Sequence, residues 1–157
     1  MIVQYQHYLT FENIYLWTNF GVVPLWLLII FTPNSKITGF LVNSIISPLI
    51  LAIAYVYTLY QTILSGESLL DIFQLYGSLD NLYTVFATEG FLLFFWLHFL
   101  ALSLFLGIWT SKDAIKYNIP RSFTIITLII IYFTGPFGIV LYWFVRVFYA
   151  KKLGFHD

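Results

Sequence analysis

The residue of this chain best placed to do chemistry is His98, an imidazole in the middle of a long apolar segment. Gly90–Ser111 contains no Asp, Glu, Lys or Arg. About 20 residues of helix cross the roughly 30 Å hydrocarbon core of a bilayer, so this segment is long enough to span one. Because hydrocarbon offers neither water nor a counter-ion, His98 must find a partner or stay neutral. It either transfers protons or contacts a ligand, or it is a neutral imidazole whose hydrogen bond to a neighbouring carbonyl ties two helices together.

The residue types do not support a metal site, a haem site or a catalytic triad. The other histidines, His7 and His156, lie outside the apolar segments, and the chain has no Cys. A second intramembrane ligand for haem or a metal is therefore missing. No predicted span contains a carboxylate, and no Ser-His-Asp set or phosphate loop is present. We predict no metal site and no resident cofactor, with a carotenoid considered only as a ligand or substrate.

Composition indicates a membrane protein of one domain, residues 1–157. Hydrophobic residues make up 61% of the chain and charged residues only 9%, against about 25% charged in soluble domains. Seven basic and seven acidic residues cancel, so nucleic acid is not an expected partner. The first residues carry no Lys or Arg, so no cleavable signal peptide is expected. A bacterial inner membrane or an organelle membrane fits best.

The apolar segments predict an all-α, polytopic protein with four transmembrane helices. In the connection between the second and third, Ser68 and Ser78 are expected N-caps, and the spacing of Leu79, Leu82, Tyr83 and Phe86 predicts one or two short amphipathic helices at the interface. A transporter is poorly supported because the spans lack a charged lining. The predicted spans are approximately 14–31, 43–64, 90–110 and 122–145.

Proline and glycine mark the predicted boundaries and kinks. Pro33 and Pro120 are expected at span boundaries. Thr134–Gly138 interrupts the fourth span, either as a packing kink or as a broken helix whose freed carbonyls line a cavity. On the third span, the small residues Ser103 and Gly107 would let another backbone approach closely, and Asn19 and Asn43 would make interhelical hydrogen bonds. Kinks are predicted at Pro24, Pro48, Gly135, Pro136 and Gly138.

Four crossings leave the orientation nearly undetermined. They place both termini and the 67–89 connection on one side, with three basic residues, and the other connections on the opposite side, with four. This difference is too small for the positive-inside rule, although it leans toward residues 112–121 being cytoplasmic. The two sets are Arg146, Lys151 and Lys152, and Lys36, Lys112, Lys116 and Arg121.

Ordered motifs along the chain resemble the family of small membrane proteins named after the plant abscisic-acid-deficient-four protein. The family's third span and its Gly-Pro-x-Gly motif are both matched in register, as are Pro24-Leu-Trp26, Pro33 and Tyr55-Val-Tyr57. The family's Asp and Arg of the third span are replaced by Ser103 and Ile108. The matching positions are Trp96, His98, Leu100, Ala101, Leu104, Phe105, Gly107, Trp109, Gly135, Pro136, Gly138 and Tyr142.

The resemblance implies a carotenoid-related protein acting on xanthophylls, with His98 as the candidate catalytic residue. In the plant-type reaction an epoxide becomes an allenic alcohol, an isomerisation that needs an acid at the oxygen and a base at a neighbouring carbon. The alternative is a non-catalytic subunit that binds pigment or lipid, within a larger membrane complex or a homo-oligomer. Expected partners are therefore membrane lipid and a carotenoid. The expected ligand contacts are Trp26, Trp96, His98, Ser103 and Trp109.

Overall fold

The computed structural model describes residues 9–42, 44 and 46–151, and the regular structure within them is helical. A 3-10 helix spans Leu69–Tyr76. The α-helices are α1 (Phe11–Phe31), α2 (Lys36–Leu41), α3 (Ile46–Leu64), α4 (Leu79–Phe86), α5 (Glu89–Lys116), α6 (Arg121–Thr134) and α7 (Pro136–Ala150).

Three helical stretches are long and apolar enough to cross a membrane. They are Phe11–Phe31, Lys36–Leu64, which contains α2 and α3, and Glu89–Lys116, and they overlap the first three predicted spans. The predicted all-helical fold is therefore confirmed. The third stretch extends beyond its predicted end at Thr110, because α5 continues through Lys116.

The fourth predicted span is wrong as a single helix, because the chain reverses at Gly135. In one straight helix, Phe123 and Tyr149 would lie about 39 Å apart. Their ring centroids are instead 6.0 Å apart, so α6 and α7 run antiparallel as a hairpin. With 14 and 15 residues, each helix is about 21–23 Å long, shorter than a bilayer core.

Glycine and proline produce this reversal. Gly135 has φ +58°, a conformation that favours glycine, and Pro136 starts α7 at a position where its missing N–H costs no helix bond. A Cβ on Gly138 would lie 2.5 Å from the backbone N of Ile131, so the two backbones touch. The residues predicted to kink one helix instead join two.

The other prolines lie at or near helix ends, except for Pro24. Pro33 follows α1 and Pro120 precedes α6, as predicted. Pro24 lies inside α1, which continues past it. The prediction that Pro48 kinks a helix from within is wrong. The helix α3 begins at Ile46, so Pro48 occupies its first turn, where no intrahelical donor is lost. Asn43 lies outside the described residues.

The connection between the second and third long stretches contains the two short helices expected there. The Ser68 hydroxyl accepts the N–H of Leu70, and the Ser78 hydroxyl accepts that of Asn81, so both predicted N-caps are confirmed. Leu79 and Tyr83 of the predicted apolar face are exposed. A position at the membrane interface stays a prediction.

The chain divides into two compact units. Unit 1 comprises Met1–Gly21 and Leu49–Leu100, and unit 2 comprises Val22–Pro48 and Ala101–Asp157. In unit 1, Ile14, Leu93 and Leu97 form a buried cluster. Unit 2 contains the α6–α7 hairpin and the ends of α1 and α5.

Candidate functional site

Unit 2 contains a buried ion pair between α5 and α7. The Arg146 Nε donates to Asp113 Oδ2 at 2.7 Å, and the two side chains are 1% and 7% exposed. The Tyr142 hydroxyl donates to the same oxygen, also at 2.7 Å. Asp113 therefore accepts two short hydrogen bonds from α7, one of them charge-assisted.

Tyr117 completes this group on the other side of the guanidinium. The Arg146 guanidinium carbon lies 4.9 Å from the Tyr117 ring centroid, a cation–π geometry. The Tyr117 hydroxyl is 3.4 Å from an Arg146 terminal nitrogen. We call Asp113, Tyr117, Tyr142 and Arg146 the polar cluster.

Helical spacing and the hairpin together assemble the polar cluster. Asp113 and Tyr117 are four residues apart at the end of α5, and Tyr142 and Arg146 are four apart on α7, so each pair shares a face. Because the chain reverses at Gly135, α7 returns alongside the end of α5. The result is a cross-link between α5 and α7 in which the Asp113 carboxylate is hydrogen-bonded to both Tyr142 and Arg146.

The sequence does not reveal the polar cluster, because Asp113 and Arg146 both lie outside the predicted spans. The third predicted span ends at Thr110, before Asp113, and the fourth ends at Val145, before Arg146. One signal was available: Arg146 lies one turn after Tyr142 in an apolar helix, and a buried arginine requires an acidic partner. Asp113 is the only carboxylate among the described residues of unit 2.

A cavity of about 480 Å³ opens beside the polar cluster. It lies among the end of α1, the end of α5 and the start of α6, and we call it the end cavity. Ala114 and Ile119 line it and also pack against Tyr142, so they form a wall between the cavity and the polar cluster. Arg121, at its edge, donates a hydrogen bond to the Phe31 carbonyl. Its other lining includes Ile29, Ile30, Ile115, Ile125 and Leu128, with Asn34, Ser35, Ser111 and Thr124.

Trp26 is packed within unit 2 against a glycine. A Cβ on Gly107 would lie 2.6 Å from the Trp26 ring, and Tyr132 meets the same indole edge-on at 5.4 Å between centroids. Gly107 therefore admits an indole, where the sequence suggested a backbone. Ser103 and Thr110 on α5 are also buried, and within the described part of the chain their hydroxyls have no hydrogen-bond partner.

The predicted ligand contacts are divided between the units. Trp109 lies in unit 2, with its ring edge-on to Tyr142 at 5.6 Å. Trp96 and His98 lie in unit 1. The Trp96 Nε1 donates to Asn19 Oδ1 at 3.1 Å, which confirms the interhelical hydrogen bond expected of Asn19. His98 is exposed, and its ring centroid lies 6.4 Å from that of Phe95.

Among the described residues, no group of three His, Cys, Asp or Glu side chains could hold a metal ion. His7 and His156 lie outside those residues.

Comparison with known proteins places the chain in a family. No curated protein and no solved structure matches it. The family model described as ABA DEFICIENT 4-like matches residues 13–142. The match runs from near the start of α1 to the middle of α7, includes Asp113 and Tyr142, and ends four residues before Arg146. Since it covers more than half of the sequence, this chain belongs to the ABA DEFICIENT 4-like family.

Proposed function

We propose that this protein is a multi-pass integral membrane protein that binds a xanthophyll, with the oxygenated end ring of the pigment in the end cavity. Family membership supports a carotenoid-related role. The observation that carries the proposal is the lining of the end cavity, which is apolar at its floor and polar at its edge.

The dimensions and chemistry of the end cavity suit such a ring. Its volume of about 480 Å³ falls in the range of small-ligand sites. Ile115, Ile125 and Leu128 offer an aliphatic surface to a methylated ring. Arg121 and Asn34 offer N–H donors to a hydroxyl or epoxide oxygen. The cavity also lies at the ends of the long helices, where the polar end of a membrane-embedded polyene would meet the headgroups.

The lining of the end cavity favours a protein that binds the pigment without converting it. None of the cavity-lining residues is Asp, Glu or His, so the cavity offers no ready base for a carbon-bound proton. A protein that only binds pigment needs no such base. Pigment binding alone is the non-catalytic alternative given in the sequence analysis.

Isomerisation is the second candidate, and the hydrogen bond between Tyr142 and Asp113 favours it. A base would remove the proton from the chain carbon next to the ring, and that electron pair would form the second double bond of the allene. The ring carbon–oxygen bond would break, and an acid would protonate the oxygen, so composition is unchanged. Asp113 and Tyr142 could exchange this proton only if the ring displaced the wall of Ala114 and Ile119.

One experiment tests both versions. Purified protein is mixed with an epoxidised xanthophyll; the absorption spectrum reports binding, and chromatography with mass detection reports any isomer. Ile125→Trp, which fills the end cavity, should abolish the spectral change. Ile126→Trp, on the next and exposed position of α6, is the matched control and should not. If Ile125→Trp binds like wild type, the pigment does not occupy the end cavity.

A further inference from the structure

We propose that the α6–α7 hairpin enters and leaves the bilayer on one side, so that the Lys and Arg residues that the structure describes lie at one cytoplasmic face, where the exposed ones contact anionic phospholipid headgroups. The proposal rests on the membrane placement proposed above, but not on pigment binding.

The dimensions and tip of the hairpin suit a re-entrant element. Each helix is about 21–23 Å long, so neither α6 nor α7 alone crosses a core of roughly 30 Å. Phe133 and Phe137, on either side of the Gly135 turn, are 71% and 58% exposed. Two exposed phenylalanines at a turn are suited to hydrocarbon and costly in water.

Both ends of the hairpin are tied to the ends of long helices within unit 2. At its start, Arg121 donates to the carbonyl of Phe31, the last residue of α1. Near its finish, Arg146 pairs with Asp113 in the last turn of α5. The hairpin thus begins and ends at the same depth in the membrane. A fourth helix that crossed the bilayer once would begin and end on opposite sides.

This geometry changes the charge count that determines orientation. A single fourth crossing would divide the basic residues four to three, whereas a re-entrant hairpin gathers at one end all of those that the structure describes. The opposite helix ends and their connection carry five acidic residues and no Lys or Arg. By the positive-inside rule, the basic end is cytoplasmic. The acidic set is Glu12, Glu67, Asp71, Asp80 and Glu89.

Anionic phospholipid is the partner that complements this end. Lys36, Lys112, Lys116, Arg121 and Lys151 are exposed, while Arg146 is paired within the polar cluster. The cytoplasmic leaflet is negatively charged, and each Lys or Arg near it contributes attraction of about fivefold in binding. The basic end would therefore both orient the chain and select anionic lipid.

The absence of native cysteine allows a direct topology test. Single-cysteine variants Lys116→Cys, Lys151→Cys and Thr84→Cys are expressed in bacterial cells and treated with a membrane-impermeant maleimide before and after lysis. We expect Thr84→Cys to react in intact cells, and the other two only after lysis. Reaction of Lys151→Cys together with Thr84→Cys would overturn the re-entrant hairpin. Reaction of Lys116→Cys in intact cells would overturn the orientation.

Lipid selectivity is tested in detergent with added phosphatidylglycerol or phosphatidylcholine. Phosphatidylglycerol should raise the unfolding temperature of the wild type more than phosphatidylcholine does. Combining Lys36→Gln, Lys112→Gln and Lys116→Gln should weaken the apparent phosphatidylglycerol affinity by about fivefold for each cation. The control combines Glu67→Gln and Asp80→Asn at the other end and should keep the preference. Equal response of the wild type to both lipids would overturn the lipid contact, whatever the pigment assay gives.

Discussion

Asp113 and Arg146, 33 residues apart in sequence, are joined at 2.7 Å between Oδ2 and Nε. This ion pair holds the end of α7 to the end of α5, and the Tyr142 hydroxyl binds the same oxygen. Both partners are buried, so each contributes to compensating the charge of the other.

Removing one partner of the ion pair should destabilise the protein strongly. Asp113→Leu removes the carboxylate that pairs with the buried Arg146 and should lower the free energy of unfolding by about 3–5 kcal/mol. Combining Asp113→Leu with Arg146→Met removes both charges and should recover most of this loss. The measurement is unfolding followed by tryptophan fluorescence in detergent. Lys112→Leu, on the adjacent exposed position, should change stability by less than about 0.5 kcal/mol. Equal stability of the single and double variants would argue against coupling.

The hairpin turn makes a second prediction, at Gly138. Gly138→Ala places a methyl group against the backbone of Ile131, which cannot move as a flexible side chain would. We expect a loss of about 1–3 kcal/mol from overpacking. Gly21→Ala is the matched control, because a Cβ there meets nothing within 4 Å, and it should stabilise α1 by about 0.5–1 kcal/mol. Wild-type stability of Gly138→Ala would mean that α6 and α7 do not pack this closely.

Ser103 stands where the resemblance described above leads us to expect an aspartate, and its environment makes a third prediction. Its hydroxyl is buried and lacks a hydrogen-bond partner among the described residues. Ser103→Ala should therefore be neutral or stabilising, whereas Ser103→Asp, which introduces the residue expected from the resemblance, should cost several kcal/mol as a buried unpaired charge. Thermal unfolding of the two variants shows whether each substitution raises or lowers the stability of the protein. A Ser103→Asp protein as stable as wild type would indicate a counter-charge or water at this position.

The long helices could be predicted from sequence, and the reversal between α6 and α7 could not. Uncharged runs of about 20 residues are a local signal, and so are the hydroxyls of Ser68 and Ser78 before their helices. The Gly135–Pro136 step is compatible with either a kink or a turn. Contacts distant in sequence, above all between Asp113 and Arg146, distinguish the two, and no local pattern contains them.

The candidate site could not be predicted from the sequence for the same reason, because it too depends on contacts between distant parts of the chain. Trp26 and Trp109 were chosen as ligand contacts because they match the family, and they pack against Gly107 and Tyr142 respectively. The end cavity is formed by helix ends that are far apart in the chain. Its apolar residues resemble any others in a membrane segment, so only the folded arrangement identifies them.

His98 makes the last prediction, since its role in catalysis stays untested. Its imidazole is exposed and belongs to unit 1, whereas the end cavity belongs to unit 2. We therefore expect His98→Ala to bind an epoxidised xanthophyll with the wild-type affinity, measured by titrating the absorption change. Phe105→Ala, another exposed substitution on α5, controls for general effects on the helix. If His98→Ala alone abolishes binding or isomer formation, the imidazole contacts the pigment, and the site must be sought on unit 1.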